Sequence, residues 1–326
     1  MELVTKARRT WSSLFRSLFG GISGNQTKQA QRANLLLEQM EDRTTPAVNV
    51  TLIGGSNDLQ LTFGAANDTA TINNDGTFIT VNYTGDGGTP FSTAATGVSQ
   101  ITVTDPSNSA NQSLFITGSA YTLNGGNGLS ASGVEQYSIN SDISGSQVFL
   151  DVNSTISLGA GQFSTTSGQQ YLGQVTLTTN TQMSAGSFIN FGQTIDGGND
   201  LALSATGNIT FSGAIGGGTR LGAISITGAS DVNAAAITAA SFSQTAGSGT
   251  TTLGGNVDTN SGVGVSISTV SLAINGDVLT AANAGVTLTA TNNININVSA
   301  NLTGGSGGIS LPQNHNKWQH RRHWHS

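Results

Sequence analysis

Residues 203–211, LSATGNITF, return as residues 288–296, LTATNNINI, at an offset of 85 residues with Leu, Ala, Thr, Asn and Ile in register. The offset persists beyond them, because Ile224-Ser225-Ile226 falls on Ile309-Ser310-Leu311. Within each copy, apolar residues alternate with Ser, Thr or Asn. Alternation with a period of two puts the apolar side chains on one side of a strand, and its return at a fixed interval is the signature of a repetitive β architecture. The composition fits that reading: 44 Gly, only 4 Pro, 9% charged and 6% aromatic residues leave Thr, Ser, Val, Ile and Ala to build narrow strands, with Gly and Asn at the turns.

Period-two segments begin abruptly at Val48. They include 48–52, 59–63, 69–72, 78–83 and 101–104, separated by Gly-Gly, Asn-Asp or Asp-Gly turns. Residues 114–116, 137–139, 148–152 and 156–158 continue less regularly. From about Tyr171 the chain is more uniform. Residues 175–177, 201–203, 224–226, 265–267, 286–288 and 309–311 look like equivalent strands, and the last two gaps between their starts are 21 and 23 residues. A coil of that size cannot bury its own apolar face and needs neighbours above and below. The expected fold is therefore all-β, a β-solenoid of the parallel β-helix kind, with about six rungs of about 22 residues between 171 and 311. Residues 48–170 are expected to be a β-rich N-terminal module or the cap of the solenoid.

The two ends differ from this body. In residues 1–47, Trp11, Leu14, Phe15, Leu18 and Phe19 fall on one helical face beside Arg8, Arg9 and Arg16, and a short helix is expected over 33–42, stopped before Pro46. This segment reads as an export or leader segment, helical or disordered. Residues 312–326, PQNHNKWQHRRHWHS, hold all four His and stand where the 85-residue repeat should continue. A frameshift, or a fragment of a longer gene, explains them best; a metal-binding tail built on His315, His320, His323 and His325 is the alternative.

Two resemblances follow from particular strings. Residues 37–47, LEQMEDRTTPA, are similar to the LExLEDRxxPA leader motif of large exported proteins of planctomycete-type bacteria, with Met40 in place of the usual Leu. The strings ITFSGAIGG (209–217), LGAISITG (221–228), ITAASFSQTAG (237–247) and TTTLGG (250–255) resemble the β-strand repeats of filamentous haemagglutinin and autotransporter-like surface proteins. Together they imply an exported protein at the cell surface or outside the cell, with a structural or adhesive role.

Charge narrows the choice of partners. Residues 1–43 and 315–326 each carry a net charge of +3, whereas residues 44–314 hold thirteen acids and one base, Arg220. A body so acidic repels nucleic acid and anionic lipid. Surface glycans or other cell-surface proteins are the expected partners, with self-association possible through the ends of the solenoid. No run of apolar residues is long enough for a transmembrane helix, and no Cys is present for disulfides or thiolate metal sites.

Catalysis needs convergent acids, bases or nucleophiles. Residues 44–314 contain no His, Cys or Lys, so a Ser-His-Asp triad or a lysine mechanism cannot be assembled there. A paired-carboxylate carbohydrate-active enzyme is the alternative, with Asp196 and Asp200 the nearest pair in sequence; a Gly-Asn turn accounts for the same residues. Gly54–Asp58, Gly64–Asp68 and Gly197–Asp200 are similar to the turns of calcium-binding nonapeptide repeats but lack their full spacing. No catalytic, cofactor-binding or metal-binding residue is assigned, no cofactor is expected, and the protein is read as a non-enzyme; a truncated, non-functional piece of a larger surface protein is the remaining alternative.

Overall fold

The computed structural model describes residues 48–311 other than Asp86 and Gly88. The leader helix, the LEQMEDRTTPA string through Ala47 and the His-rich tail lie outside the described residues. More than half of the chain is strand, and its stacked parallel strands form a β-solenoid of about 9 turns.

Each turn has three faces. Face A runs from Thr69–Asn74 through Ser113–Gly118, Gln136–Ile139, Thr155–Leu158, Gln174–Leu177 and Ile195–Asp196. It continues through bridges at Ile215 to residues 237–239, Val257–Thr259, Val278–Leu279 and Leu302–Thr303. Face B runs from Tyr121–Leu123 to Gly308–Ser310, and face C from Asp58–Phe63 to the second half of Gly285–Ile296. The long strands Ile237–Gln244, Val265–Ile274 and Gly285–Ile296 turn a corner and serve two ladders each. Hydrogen bonds from one rung to the next link residues about a rung apart, such as the 19 between Arg220 and Ala239 and the 25 between Gly305 and Thr280.

Alternation dictates what is buried. In Leu201–Ala205 the first, third and fifth residues point inward, and the same pattern fills the axis with Leu, Ile, Val, Phe and Ala from every rung. On face C, Tyr171, Phe191 and Phe211 stack from rung to rung, with ring centroids 5.3 Å apart at both steps. Phe163 meets Tyr171 edge-on at 5.9 Å from face B. Most buried polar groups are satisfied within the stack; Asp58 Oδ1, Gln112 Oε1 and the Tyr137 hydroxyl are exceptions. Gln169, fully buried, accepts from the Tyr171 hydroxyl at 3.1 Å and donates to the Ser184 carbonyl at 2.8 Å. Burial holds the phenols of Tyr121, Tyr137 and Tyr171 well above their ordinary pKa.

The first turn departs from the rest. Val48–Ile53 pairs antiparallel with Asp58–Phe63, and Phe78–Tyr83 with Phe91–Ala94 forms an antiparallel hairpin against Thr69–Asn74. These strands cover the starting edge of faces A and C, where an open ladder would otherwise pair with another chain. The ladder then crosses residue 170 without a break: Thr155–Leu158 pairs with Gln174–Leu177, and Val148–Leu150 with Gln169–Tyr171. The expected division into a module at 48–170 and a solenoid at 171–311 is thus one stack, capped by 48–53 and 78–94 only. Between Val175 and Leu302 face A takes six steps and so passes seven rungs, one more than the six read from the sequence.

One expected equivalence is corrected. Val175–Leu177 lies on face A, whereas 201–203, 224–226, 265–267, 286–288 and 309–311 share face B. The true face-B members at the missing rungs are 181–183 and 242–244. Their inward residues are Thr181, Met183, Phe242 and Gln244, which break the aliphatic pattern while keeping its geometry.

Replacing Phe191 with Ala removes the middle ring of the aromatic stack and should cost about 3–5 kcal/mol. Urea unfolding followed by circular dichroism measures it; a loss below about 1 kcal/mol would show that the ring is not packed in the core.

Candidate functional site

Of the twelve described acids, ten accept from main-chain N–H groups, most of them at corners of the coil, while Asp58 and Asp258 bond to side chains. At a corner the chain leaves one ladder before joining the next, so N–H groups lose their strand partners and need another acceptor. Asp142 Oδ1 accepts from Gln162 N at 2.8 Å. One corner carries a relay in which Asn180 Oδ1 accepts from Asp200 N at 2.9 Å and Asp200 Oδ1 accepts from Ala223 N at 2.7 Å. A second runs from Asn208 through Asp231 to Thr250 N, and a third from Asn256 through Asp277 to Asn301 N. Each Asx residue clips one rung to the next.

The pair Asp196 and Asp200 belongs to this system. Asp196 Oδ1 accepts from Gly218 N at 2.7 Å and from Thr219 N at 2.9 Å, so both carboxylates hold the main chain of the following rung. The Gly197-Gly198-Asn199 segment between them is a turn. Gly197 has φ +119°, and a Cβ there would lie 2.3 Å from the Leu177 carbonyl oxygen. Asn199 Nδ2 donates to that same oxygen at 2.8 Å.

The other Gly/Asp strings are turns as well. Asn57 and Asn67 adopt left-handed φ of 50° and 64°, and Asp58 and Asp68 are almost fully buried. Asp58 Oδ2 accepts from Gln60 Nε2 at 2.7 Å, and Asp68 Oδ2 from Ala65 N at 3.0 Å. Among the described residues no three His, Cys, Asp or Glu side chains gather as a cation site. Asp75, at the hairpin turn, is held below the ordinary carboxylate pKa by the N–H groups of Phe78 and Thr77. Arg220 donates to the carbonyls of Ala239 and Asp258, both at 2.9 Å, and to Asp258 Oδ2 at 2.7 Å, tying three successive rungs.

With most acids committed to capping, face B is the uncharged surface that remains. Face B presents two parallel rows. In one, Gln162, Gln182, Ala202, Ser225, Ser243, Ser266, Thr287 and Ser310 are paired directly from rung to rung. In the other, Ser144, Ser164, Ser184 and Ser204 pair in the same way, and farther along Ser268 pairs with Thr289. Neither row contains a charged or aromatic residue. Seven steps of the first row, at about 4.8 Å each, extend about 34 Å. Tyr121, Tyr137 and Tyr171 are core residues. An outward aromatic is instead Phe115, flanked by inward Leu114 and Ile116. Alternation marks it as outward, but three apolar residues in a row conceal it.

Searches against protein-family models, curated proteins and solved structures return no match to this chain.

The corner assignment separates capping from catalysis. Asp200→Asn keeps an acceptor oxygen and should unfold within about 0.5 kcal/mol of the parent, whereas Asp200→Ala strands the Ala223 N–H and should cost about 1–3 kcal/mol. Denaturant titration of the two variants checks this; equal stabilities would refute the capping role.

Proposed function

We propose that this protein is a structural or adhesive repeat protein, exported and working at the cell surface or outside the cell, whose solenoid offers its outward faces to surface glycans through many weak contacts. The observation that carries the reading is the pair of neutral rows on face B. A single exposed hydroxyl exchanges a hydrogen bond with water for one with a ligand at almost no net gain. Five hydroxyl residues in register, Ser225, Ser243, Ser266, Thr287 and Ser310, add such contacts without paying association entropy anew for each, so affinity rises with the number engaged. A partner that repeats along its own length, as a polysaccharide does, exploits this best. Neutrality points the same way, since an anionic partner would have no bases to meet on this face.

Support for export comes from the leader-like string at 37–47 and from a body without Cys, which needs no particular redox environment because its main-chain ladders hold it together. The resemblance of residues 209–255 to surface-protein repeats agrees with it.

Retention of the purified full chain on insoluble cellulose and chitin tests the adhesive reading. Ser243→Lys alone should lower retention slightly, and Ser225→Lys, Ser243→Lys and Ser266→Lys together should lower it more than tenfold. Absence of wild-type retention on both materials, or retention by the triple variant equal to wild type, would overturn it.

A further inference from the structure

The geometry points to a seat for one neutral sugar ring on face A, at a hollow beside Phe115. This inference rests on the adhesive reading above and adds to it a defined contact and a class of ligand.

The hollow has a volume of about 170 Å³ and is lined by Phe115, Gln136, Ser138, Thr155, Ser157 and Thr176, over a floor that includes the buried Tyr137 and Ile156. Its origin is visible in the strand register. Phe115, Ser138, Ser157 and Thr176 form one outward row across four rungs, with Gln136 and Thr155 paired in the row beside it. Two serines between a phenylalanine and a threonine make the row dip, and the longer Gln136 walls one side. Pockets that enclose a drug-sized ligand measure roughly 300–1,000 Å³. A hollow of this size takes one ring of a chain that continues outside it.

The lining selects the ring. Phe115 is half-buried and turns an apolar aromatic surface toward the dip. Hydrogen-bonding capacity is grouped opposite it. Gln136 uses its carbonyl oxygen only in a 3.4 Å contact from the Ser113 hydroxyl, leaving its amide N–H groups for a ligand. The hydroxyls of Ser157 and Thr176 have no hydrogen bond within the described residues, whereas Thr155 donates to the Glu135 carbonyl and Ser138 accepts from Asn140. A pyranose has one apolar C–H face and a rim of hydroxyls, so it can lay that face on Phe115 while its rim meets Gln136, Ser157 and Thr176. No lining residue is charged at neutral pH, since burial holds the Tyr137 phenol in its neutral form. The nearest acid in sequence, Glu135, has its carboxylate engaged by the Gln112 N–H at 2.8 Å. The site therefore takes an uncharged sugar, not a uronate or an amino sugar with a free ammonium group.

Isothermal titration of the full chain with cellohexaose, maltohexaose and chitohexaose tests the inference. At least one should bind with millimolar or better affinity, Phe115→Ser should weaken it at least tenfold, Phe115→Tyr should restore it, and Gln136→Ala should weaken it severalfold. Thermal unfolding of each variant at the wild-type temperature confirms that the outward substitutions leave the fold intact. The face-B triple lysine variant should bind the soluble sugars as wild type does, which separates the two surfaces. No binding of any of the three sugars, or equal binding by Phe115→Ser, would overturn the sugar seat. Retention of the wild type on insoluble polysaccharide, lost in the face-B triple variant, would in that case leave the adhesive reading standing without it.

Discussion

The structure depends on hydrogen bonds that no rung can make alone. Each strand, two to twelve residues long, offers its N–H and C=O groups in the plane of a ladder, and the rung before or after supplies their partners. A single coil of about 20 residues, too thin to enclose a core, would leave both its main chain and its apolar side chains exposed. Stacking answers both needs at once. The same alternation that sends Leu203 and Ile226 inward sends Ser204 and Ser225 outward, so core and surface are written in one pattern.

The corners are where that pattern fails, and there polar side chains replace strand partners. Asn180, Asp200, Asn208, Asp231, Asn256 and Asp277 each supply an oxygen to a main-chain N–H one rung on, and Arg220 reaches across two further rungs. A sparse set of acids, which in a globular enzyme would invite a search for a catalytic pair, is here distributed as staples. The division of labour leaves face B free of charge, which is what makes it suited to neutral, repetitive partners.

Much of this was legible in the residues. The 85-residue repeat is four rungs: Leu203 leads through Ile226, Gln244 and Ile267 to Leu288, and Ile209 through Val232, Thr251 and Leu272 to Ile294. The repeat was visible because its ends are aliphatic, and the rungs inside it were obscured because Gln244 and Thr251 occupy core positions by bonding to each other at 2.9 Å. In the first half the hairpin at 78–94 is inserted between paired strands, so Thr69 meets Ser113, about twice a normal rung away. That insertion hid the period and made 48–170 look like a separate module. The corner staples left a trace in the recurrence of Asn and Asp at rung-like intervals, such as Asn180 and Asp200, but Asx residues also mark ordinary turns. The hollow beside Phe115 had no trace, since it depends on which small and large residues become neighbours across four rungs.

The central claim is the rung-by-rung register, and the absence of native Cys allows it to be measured directly by pulsed electron–electron resonance between pairs of spin labels on face B. Labels at Gln182 paired with Ser243, Thr287 or Ser310 span three, five and six rungs. Distances should rise in proportion, near 14, 24 and 29 Å, at about 4.8 Å per rung. A series that fails to increase with the number of rungs, or increases as for strands in separate domains, would contradict the solenoid.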